Sequence, residues 1–176
     1  RPLRIPEDTA TLHRWFIQER AAFWLMQDKT EAEVREAYQR MVDSGGATPY
    51  IGWQDGRAAF LAECYDPAQD RIRAFYDVRP GDLGMHIFIA PPERRIAGYS
   101  RTVFHALMRF MFTHLGARRI VVASKRMTLP SFEGVRPSSD SWIERSISLI
   151  ELGSNGCTVS MRGSGTPIVA SWLTGI

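Results

Sequence analysis

The sequence predicts an α+β domain built on a mixed, largely antiparallel sheet flanked by helices. Three observations carry that prediction. Two stretches of helical periodicity come first, and Asp55-Gly56 between two apolar runs then gives a strong hairpin signal. A long amphipathic stretch follows, and a β-branched segment succeeds it at once. The order helix, helix, three or four strands, helix, strand lacks the alternation of a doubly wound sheet. A chain of 176 residues is long enough for one domain with its own core.

Each element has its own justification. Asp8 stands where it can cap a helix whose apolar positions Leu12, Trp15 and Phe16 recur at helical spacing. The apolar cluster Ala21 to Met26 is too short to cross a membrane and is expected as a buried link or a pocket wall, with Phe23 and Tyr50 in the core and Trp24 either in the core or beside a ligand. Thr30 and Glu33 form a capping box, Val34, Tyr38 and Met41 continue one helical face, and Ser44-Gly45-Gly46 stops the helix. Tyr50–Trp53 and Ala58–Tyr65 are the two arms of the hairpin. Pro67 to Arg73 should turn, Ala74 to Val78 is expected as a short extended piece, and Arg79-Pro80-Gly81-Asp82 turns again. Gly84–Ala90 has the alternation of a half-buried strand, His86 and Phe88 against Met85, Ile87 and Ile89, and Pro91-Pro92 ends it. From Gly98 a helix presents Val103, Phe104, Leu107, Met108, Met111 and Leu115 on one side; Gly116 stops it, and Arg119–Ala123 supplies a strand. Beyond Ser124 the composition changes: Ser, Gly and Thr become abundant, and Arg162 is the only charged residue after Glu151. Residues 1–123 are therefore the core, and 124–176 an atypical Ser/Gly-rich segment of the same domain. That segment either holds short strands, as at Ser146–Leu152 and Cys157–Met161, or is poorly ordered.

Charge and composition exclude several function classes. The net charge of +3 is almost wholly arginine, since Lys29 and Lys125 are the only lysines. No basic stretch is interleaved with aromatics, and no helix-turn-helix or zinc-finger spacing occurs, so no nucleic-acid partner is expected. A mild positive field does suit a ligand with several phosphates. No apolar run reaches the roughly 20 residues of a membrane span, and Arg1-Pro2-Leu3-Arg4-Ile5 has no signal-peptide character, so a cytoplasmic protein away from membranes is expected. Cys64 and Cys157 lack paired spacing, and His13, His105 and His114 make no metal pair and read as exposed helix residues. No metal is expected.

The unit that carries chemistry is strand Gly84–Ala90, the break Pro91-Pro92, the loop Arg95 to Ser100, and the helix after it. Such a loop turns successive backbone N–H groups toward the helix start, where the macrodipole adds positive charge, and so makes an anion cradle. Gly98 admits close backbone approach, Ser100 is small, and Arg95 and Arg101 can add charge-assisted contacts. The pattern R-x-x-G-x-S also occurs in ordinary surface loops; the strand before it and the helix after it are what raise its meaning.

Arg95-Ile96-Ala97-Gly98-Tyr99-Ser100 resembles the Q/R-x-x-G-x-G/A acyl-CoA motif of the GNAT acetyltransferases. The stretch from Arg79 to Pro91 is similar to the segment before that motif in the siderophore-biosynthesis branch, the aerobactin-type N-hydroxylysine acetyltransferase group. Leu12-His13-Arg14-Trp15, Phe23-Trp24 and Pro49-Tyr50-Ile51-Gly52 also resemble that group, and the likeness spans residues 2–123. It implies a GNAT-like fold and an N-acyltransferase that moves an acyl group, typically acetyl, from acyl-CoA to an amine or N-hydroxylated amine of a lysine-, ornithine- or diamine-type siderophore precursor. It implies acetyl-CoA or another acyl-CoA as co-substrate, held by Ile87, Phe88 and Ile89 on the strand and by Arg95, Ile96, Ala97, Gly98, Tyr99, Ser100 and Arg101 beyond it. His86 then faces the acceptor as the catalytic group, and Trp24 lies beside the acceptor.

After the last strand, members of this branch continue with Glu-Pro-Asp, whereas this chain has Ser124-Lys125-Arg126-Met127-Thr128-Leu129-Pro130. The second catalytic carboxylate is missing there. Either the base has moved or the chain is a non-catalytic acyl-CoA-binding or interaction module associated with a siderophore synthetase; transfer to another small amine, such as an aminoglycoside, is a third reading. A shifted reading frame and natural divergence are the two accounts of the abrupt change at residue 124.

Overall fold

A computed structural model of the chain describes residues 1–93, 96–123, 147–153, 156–161 and 168–169. The chain divides into two compact units, Arg1–Tyr65 with His86–Phe104 and Asp66–Met85 with His105–Ile176.

The first unit begins with helix α1 (Thr9–Phe16), a short 3-10 helix (Glu19–Trp24) and helix α2 (Glu31–Ser44). Helix α2 starts on the capping box that the sequence announces: the Thr30 hydroxyl accepts from the Glu33 N–H, and the Glu33 carboxylate accepts from the Thr30 N–H at 2.8 Å. It ends on Gly45 in the left-handed region. Asp8 sits at the N-cap position of α1, but its carboxylate does not cap the helix. Instead it accepts both Arg1 guanidinium nitrogens and the Arg4 N–H, each at 2.8 Å, because a charged partner outcompetes the neutral N–H groups of the first turn.

Strands β1 (Thr48–Gln54) and β2 (Arg57–Tyr65) form the antiparallel hairpin, turning on Asp55 and Gly56, both at positive φ. Two such residues match the right-handed twist of the arms, which is why Asp-Gly is so strong a signal. The C-terminal half of strand β3 (Asp82–Ile89) lies beside β2, and the Ala90 N–H donates to the Ala59 carbonyl at 2.9 Å. Leu12, Trp15 and Phe16 of α1, Val34 and Tyr38 of α2, Ile51, Leu61 and Phe88 form one apolar core. Burying each of the large apolar side chains is worth about 1.5–3 kcal/mol. The 21–26 cluster departs from expectation. Only Ala21 is buried and Trp24 and Met26 pack partly against the core, while Phe23 and Leu25 are 70% and 84% exposed, because the tight 3-10 path turns them outward.

The second unit contains the N-terminal half of β3, parallel to β4 (Arg119–Ala123), then β5 (Ile147–Gly153), β6 (Gly156–Met161) and β7 (Ile168–Val169), each antiparallel to its predecessor. The sheet is therefore mixed, with β3 beside β4 supplying the parallel pair. Of the two alternatives for the C-terminal segment, the short strands are present, whereas Ala74–Val78 forms no strand: the chain there is 3-10 helical over Arg71–Ala74, held by Asp70 capping Ile72. Arg119 and Asp82 form a buried two-pronged ion pair at 2.7 and 2.8 Å, to which Tyr76 adds a hydrogen bond. Burial alone pushes the Asp82 carboxyl upward, but hydrogen bonds from Arg119, the Arg79 N–H and Tyr76 outweigh it and leave its pKa below the ordinary value.

Helix α3 (Tyr99–Thr113) contributes residues to both units. Val103, Leu107, Met108 and Met111 are buried as the periodicity requires, and Gly116 follows at positive φ. His13 and His114 are hydrogen-bonded to Lys29 and Thr113; His114 is exposed as expected, whereas His13 and His105 are half-buried, each lying next to buried residues of its helix. No helix among the described residues is long and apolar enough to cross a membrane.

Candidate functional site

Strand β2 reads Arg-Ala-Ala-Phe-Leu-Ala-Glu-Cys-Tyr, and its last five residues are all buried. Glu63 is thus a carboxylate inside an apolar strand, and a buried charge requires partners. It has two. The Tyr38 hydroxyl on α2 donates to Glu63 Oε1 at 2.6 Å, and His86 Nδ1 on β3 lies 3.2 Å from Glu63 Oε2. The Trp24 indole N–H donates to the Tyr38 oxygen at 3.0 Å, which extends the chain to four residues.

From Tyr38 onward exposure rises toward His86, whose side chain is 49% exposed against 9% for Glu63. One edge of the imidazole is fixed by the buried carboxylate, and the Tyr65 ring lies over it with centroids 5.0 Å apart. The rest of the ring is open. The sequence predicts alternation of His86 and Phe88 against their neighbours, but burial along β3 follows packing instead: Met85 and Phe88 are buried and His86 is not. Phe88 packs against Trp15, Phe16 and Trp24, with centroid distances of 5.6–6.1 Å.

The electrostatics around Glu63 follow from burial and charge. Burial first, and then the Glu63 charge, raise the Tyr38 hydroxyl far above its ordinary pKa. The same two causes push the Cys64 thiol up to about 12. Cys64 is therefore a protonated core thiol near neutral pH, not a nucleophile.

A cleft of about 560 Å³ lies where β3 ends and α3 begins, within the first unit. Ile89 and Ala90 line it from the strand, Ile96 and Gly98 from the loop, and Tyr99, Ser100 and Arg101 from the first turn of the helix. The earliest N–H groups of any α-helix lack intrahelical acceptors, so this end of the cleft is suited to an anion. Gly98 has φ of +73°, and the Arg101 guanidinium folds back over it. Ala97 is exposed in the turn before the helix, and Ile87 is half-buried on β3. The Phe88 side chain is committed to the core, so any contact it makes with a ligand comes from its backbone. Arg95 lies outside the described residues, as does the segment Ser124–Pro130.

The fold thus gathers Ile89, Ile96, Gly98, Tyr99, Ser100 and Arg101 around one cleft, and links Trp24 to His86 through two intervening side chains. Three residues were missed by sequence reasoning. Glu63 left a signal, an acid set between Ala62 and Cys64 in an apolar run. The periodicity of Tyr38 marks only a helix face. Arg20 left no signal; it donates to the Ile89 carbonyl at 2.9 Å, sits over the Phe88 ring and adds a positive charge to the cleft wall.

Comparison with known proteins identifies relatives and the family. The chain is 28% identical over 137 residues to an N-hydroxyputrescine acetyltransferase of Acinetobacter baumannii, covering 77% of this chain and 64% of that protein. It is 30% identical over 105 residues to an N(6)-hydroxylysine O-acetyltransferase of Escherichia coli, covering 59% of this chain and 33% of that one. The chain therefore spans less than two thirds of the length of either relative. Among solved structures, an uncharacterized protein of Bacillus halodurans superposes with a TM-score of 0.64 at 22% identity, over 72% of this chain and 65% of that one. An aminoglycoside acetyltransferase in complex with coenzyme A gives 0.57 at 21% identity, over 69% and 71%. The family model for the acetyltransferase (GNAT) domain matches residues 4–126, which hold both the Glu63–His86 pair and the strand-to-helix cleft, and the chain belongs to that family.

Proposed function

We propose that this chain transfers an acetyl group from acetyl-CoA to an amine or N-hydroxylated amine of a siderophore precursor of the diamine or lysine type. The observation that carries the reading is His86, backed by a buried carboxylate and open at its far edge, in the same compact unit as an anion-suited cleft. The pyrophosphate of the CoA lies against the N-terminus of α3, with Arg20 and Arg101 offsetting its charge. The pantetheine arm runs along the end of β3 toward Ile87 and Ile89.

The acceptor nitrogen attacks the thioester carbonyl carbon, the new C–N bond forms, and the C–S bond breaks. His86 Nε2 takes the proton that the nitrogen sheds, and the leaving thiolate acquires a proton in turn. Trp24 is the aromatic residue proposed beside the acceptor. The substrate class is supported by the two relatives, whose names specify N-hydroxyputrescine and N6-hydroxylysine.

The test is thiol release from acetyl-CoA with putrescine, N-hydroxyputrescine, lysine and N6-hydroxylysine as acceptors. Turnover with an N-hydroxylated acceptor is expected. The absence of Glu-Pro-Asp after β4 favours a second reading, a CoA-binding module beside a siderophore synthetase. Saturable CoA binding with no thiol release from any acceptor would establish that reading instead.

A further inference from the structure

Four side chains from four different elements meet in one hydrogen-bonded line, and with Glu63 ionised its donors and acceptors dictate where each proton lies. The Trp24 indole N–H can only donate. The Tyr38 oxygen, 3.0 Å away, must therefore accept, and its own O–H points onward to Glu63 Oε1 at 2.6 Å. A carboxylate accepts at both oxygens, so the partner of Oε2 has to be a donor. That partner is His86 Nδ1 at 3.2 Å. The proton of a neutral His86 then sits on Nδ1, and Nε2 carries the lone pair on the ring edge away from the buried carboxylate.

Resting on the acetyl-transfer reading above, we propose that Glu63 is a positioning residue, which together with Tyr38 and Trp24 holds His86 in the Nδ1–H tautomer and presents a bare Nε2 to the acceptor. Glu63 itself does not meet substrate. It is almost fully enclosed by the core that contains Tyr38, Ile51 and Leu61, and His86 is the exposed terminus of the line. A carboxylate that orients a histidine base and stabilises the imidazolium formed on proton transfer is a recurrent arrangement in hydrolases, where replacing the acid by its amide gives the wrong tautomer. Here the line extends two residues further. The arrangement also accounts for a charge placed in the apolar strand β2, where an alanine or valine would pack without desolvation cost.

The test is Glu63→Gln, which keeps shape and volume. The Tyr38 O–H still needs an acceptor, so the amide oxygen turns toward it and the amide NH₂ faces His86 Nδ1. The histidine proton is thereby driven to Nε2. With labelled histidine, the imidazole nitrogen signals of His86, assigned by their loss in His86→Ala, should exchange character: Nε2 lone-pair-bearing in the wild type and protonated in Glu63→Gln. The kcat with acetyl-CoA and a mono-N-hydroxylated diamine should fall by about 10³–10⁴-fold, with the KM for acetyl-CoA unchanged within about twofold. Tyr38→Phe keeps the carboxylate and should retain the Nδ1–H tautomer, losing less than about tenfold in kcat.

A wild-type His86 protonated on Nε2 overturns the proposal even if no variant folds. So does an unchanged tautomer in folded Glu63→Gln, or a kcat within about threefold of the wild type. If the wild type transfers acetyl to no acceptor yet shows the Nδ1–H tautomer and its reversal, the positioning role stands and the acetyl-transfer reading is what fails.

Discussion

Gly98→Val separates ligand binding from folding, and both magnitudes can be worked out. Gly98 has φ of +73°, where an L-residue pays about 1–2 kcal/mol and a β-branched one is a marked outlier. Space is not the difficulty, because a Cβ there would meet Arg101 Nη2 at 3.6 Å, an ordinary contact. For a chain of this size 1 kcal/mol moves Tm by about 2–4 °C, so the ligand-free variant should melt about 2–8 °C lower but remain folded. Ligand at a hundred times its Kd stabilises the wild type by about 2.7 kcal/mol, a rise of about 5–11 °C. In Gly98→Val that rise should vanish, since the branched side chain occupies the approach to the α3 N-terminus and displaces the Arg101 guanidinium. Differential scanning fluorimetry with and without CoA, backed by calorimetric titration, reads both numbers. A folded Gly98→Val variant that keeps the full CoA-induced rise would refute the assignment of the cleft.

His86→Ala should lower kcat by about 10²–10⁴-fold and leave CoA affinity nearly unchanged, measured by steady-state thiol release; equal rates would remove His86 from the mechanism. Matched acceptor pairs should favour the N-hydroxylated amine, whose nitrogen is far less basic than an alkylamine and already neutral near pH 7; faster turnover of the plain amine at that pH would count against the substrate class. The depressed Asp82 carboxyl contributes stability that is fully present above its unfolded value of 3.8 and is lost as pH falls through the lower native value. Denaturant midpoints should accordingly drop as pH falls below about 4, and Asp82→Asn, already less stable at neutral pH, should flatten that drop. Arg119→Ala strands the Asp82 charge in the interior and should cost about 3–5 kcal/mol by urea titration, where a loss under about 1 kcal/mol would show the pair is solvated in practice.

What was legible in the sequence was what is local. The Thr30–Glu33 capping box, the Asp55-Gly56 turn and the stripe of α3 are each fixed by residues one to four apart, and each formed where its pattern stands. The strands at Ile147–Gly153 and Gly156–Met161 were less legible, since the sequence left short strands and poor order as alternatives there. Asp8 failed as a cap because an arginine seven residues away in sequence is its neighbour in space. Phe23 failed as a core residue because apolar composition says nothing about which way a 3-10 turn faces. The candidate site was legible in part for the same reason. A strand, a glycine-bearing loop and a helix lie consecutively in the chain, so the cleft could be anticipated, whereas Trp24, Tyr38, Glu63 and His86 are spread over 63 positions and are joined only by tertiary packing.

That spread bears on the missing Glu-Pro-Asp. Sequence comparison looks for a carboxylate where the family motif keeps it, just after β4, and there this chain has Ser124 to Pro130. Proton transfer has no such requirement of position. It needs a base with a free lone pair at the acceptor and a negative charge to stabilise that base once protonated. In the proposal above, β2 supplies the charge through Glu63 and β3 supplies the base through His86, from strands that are already neighbours in the sheet and lie wholly before residue 124. On that assignment the chemistry depends on β2 and β3 rather than on the segment after β4, and substitutions at Glu63 or His86 should damage turnover more than substitutions between Ser124 and Pro130.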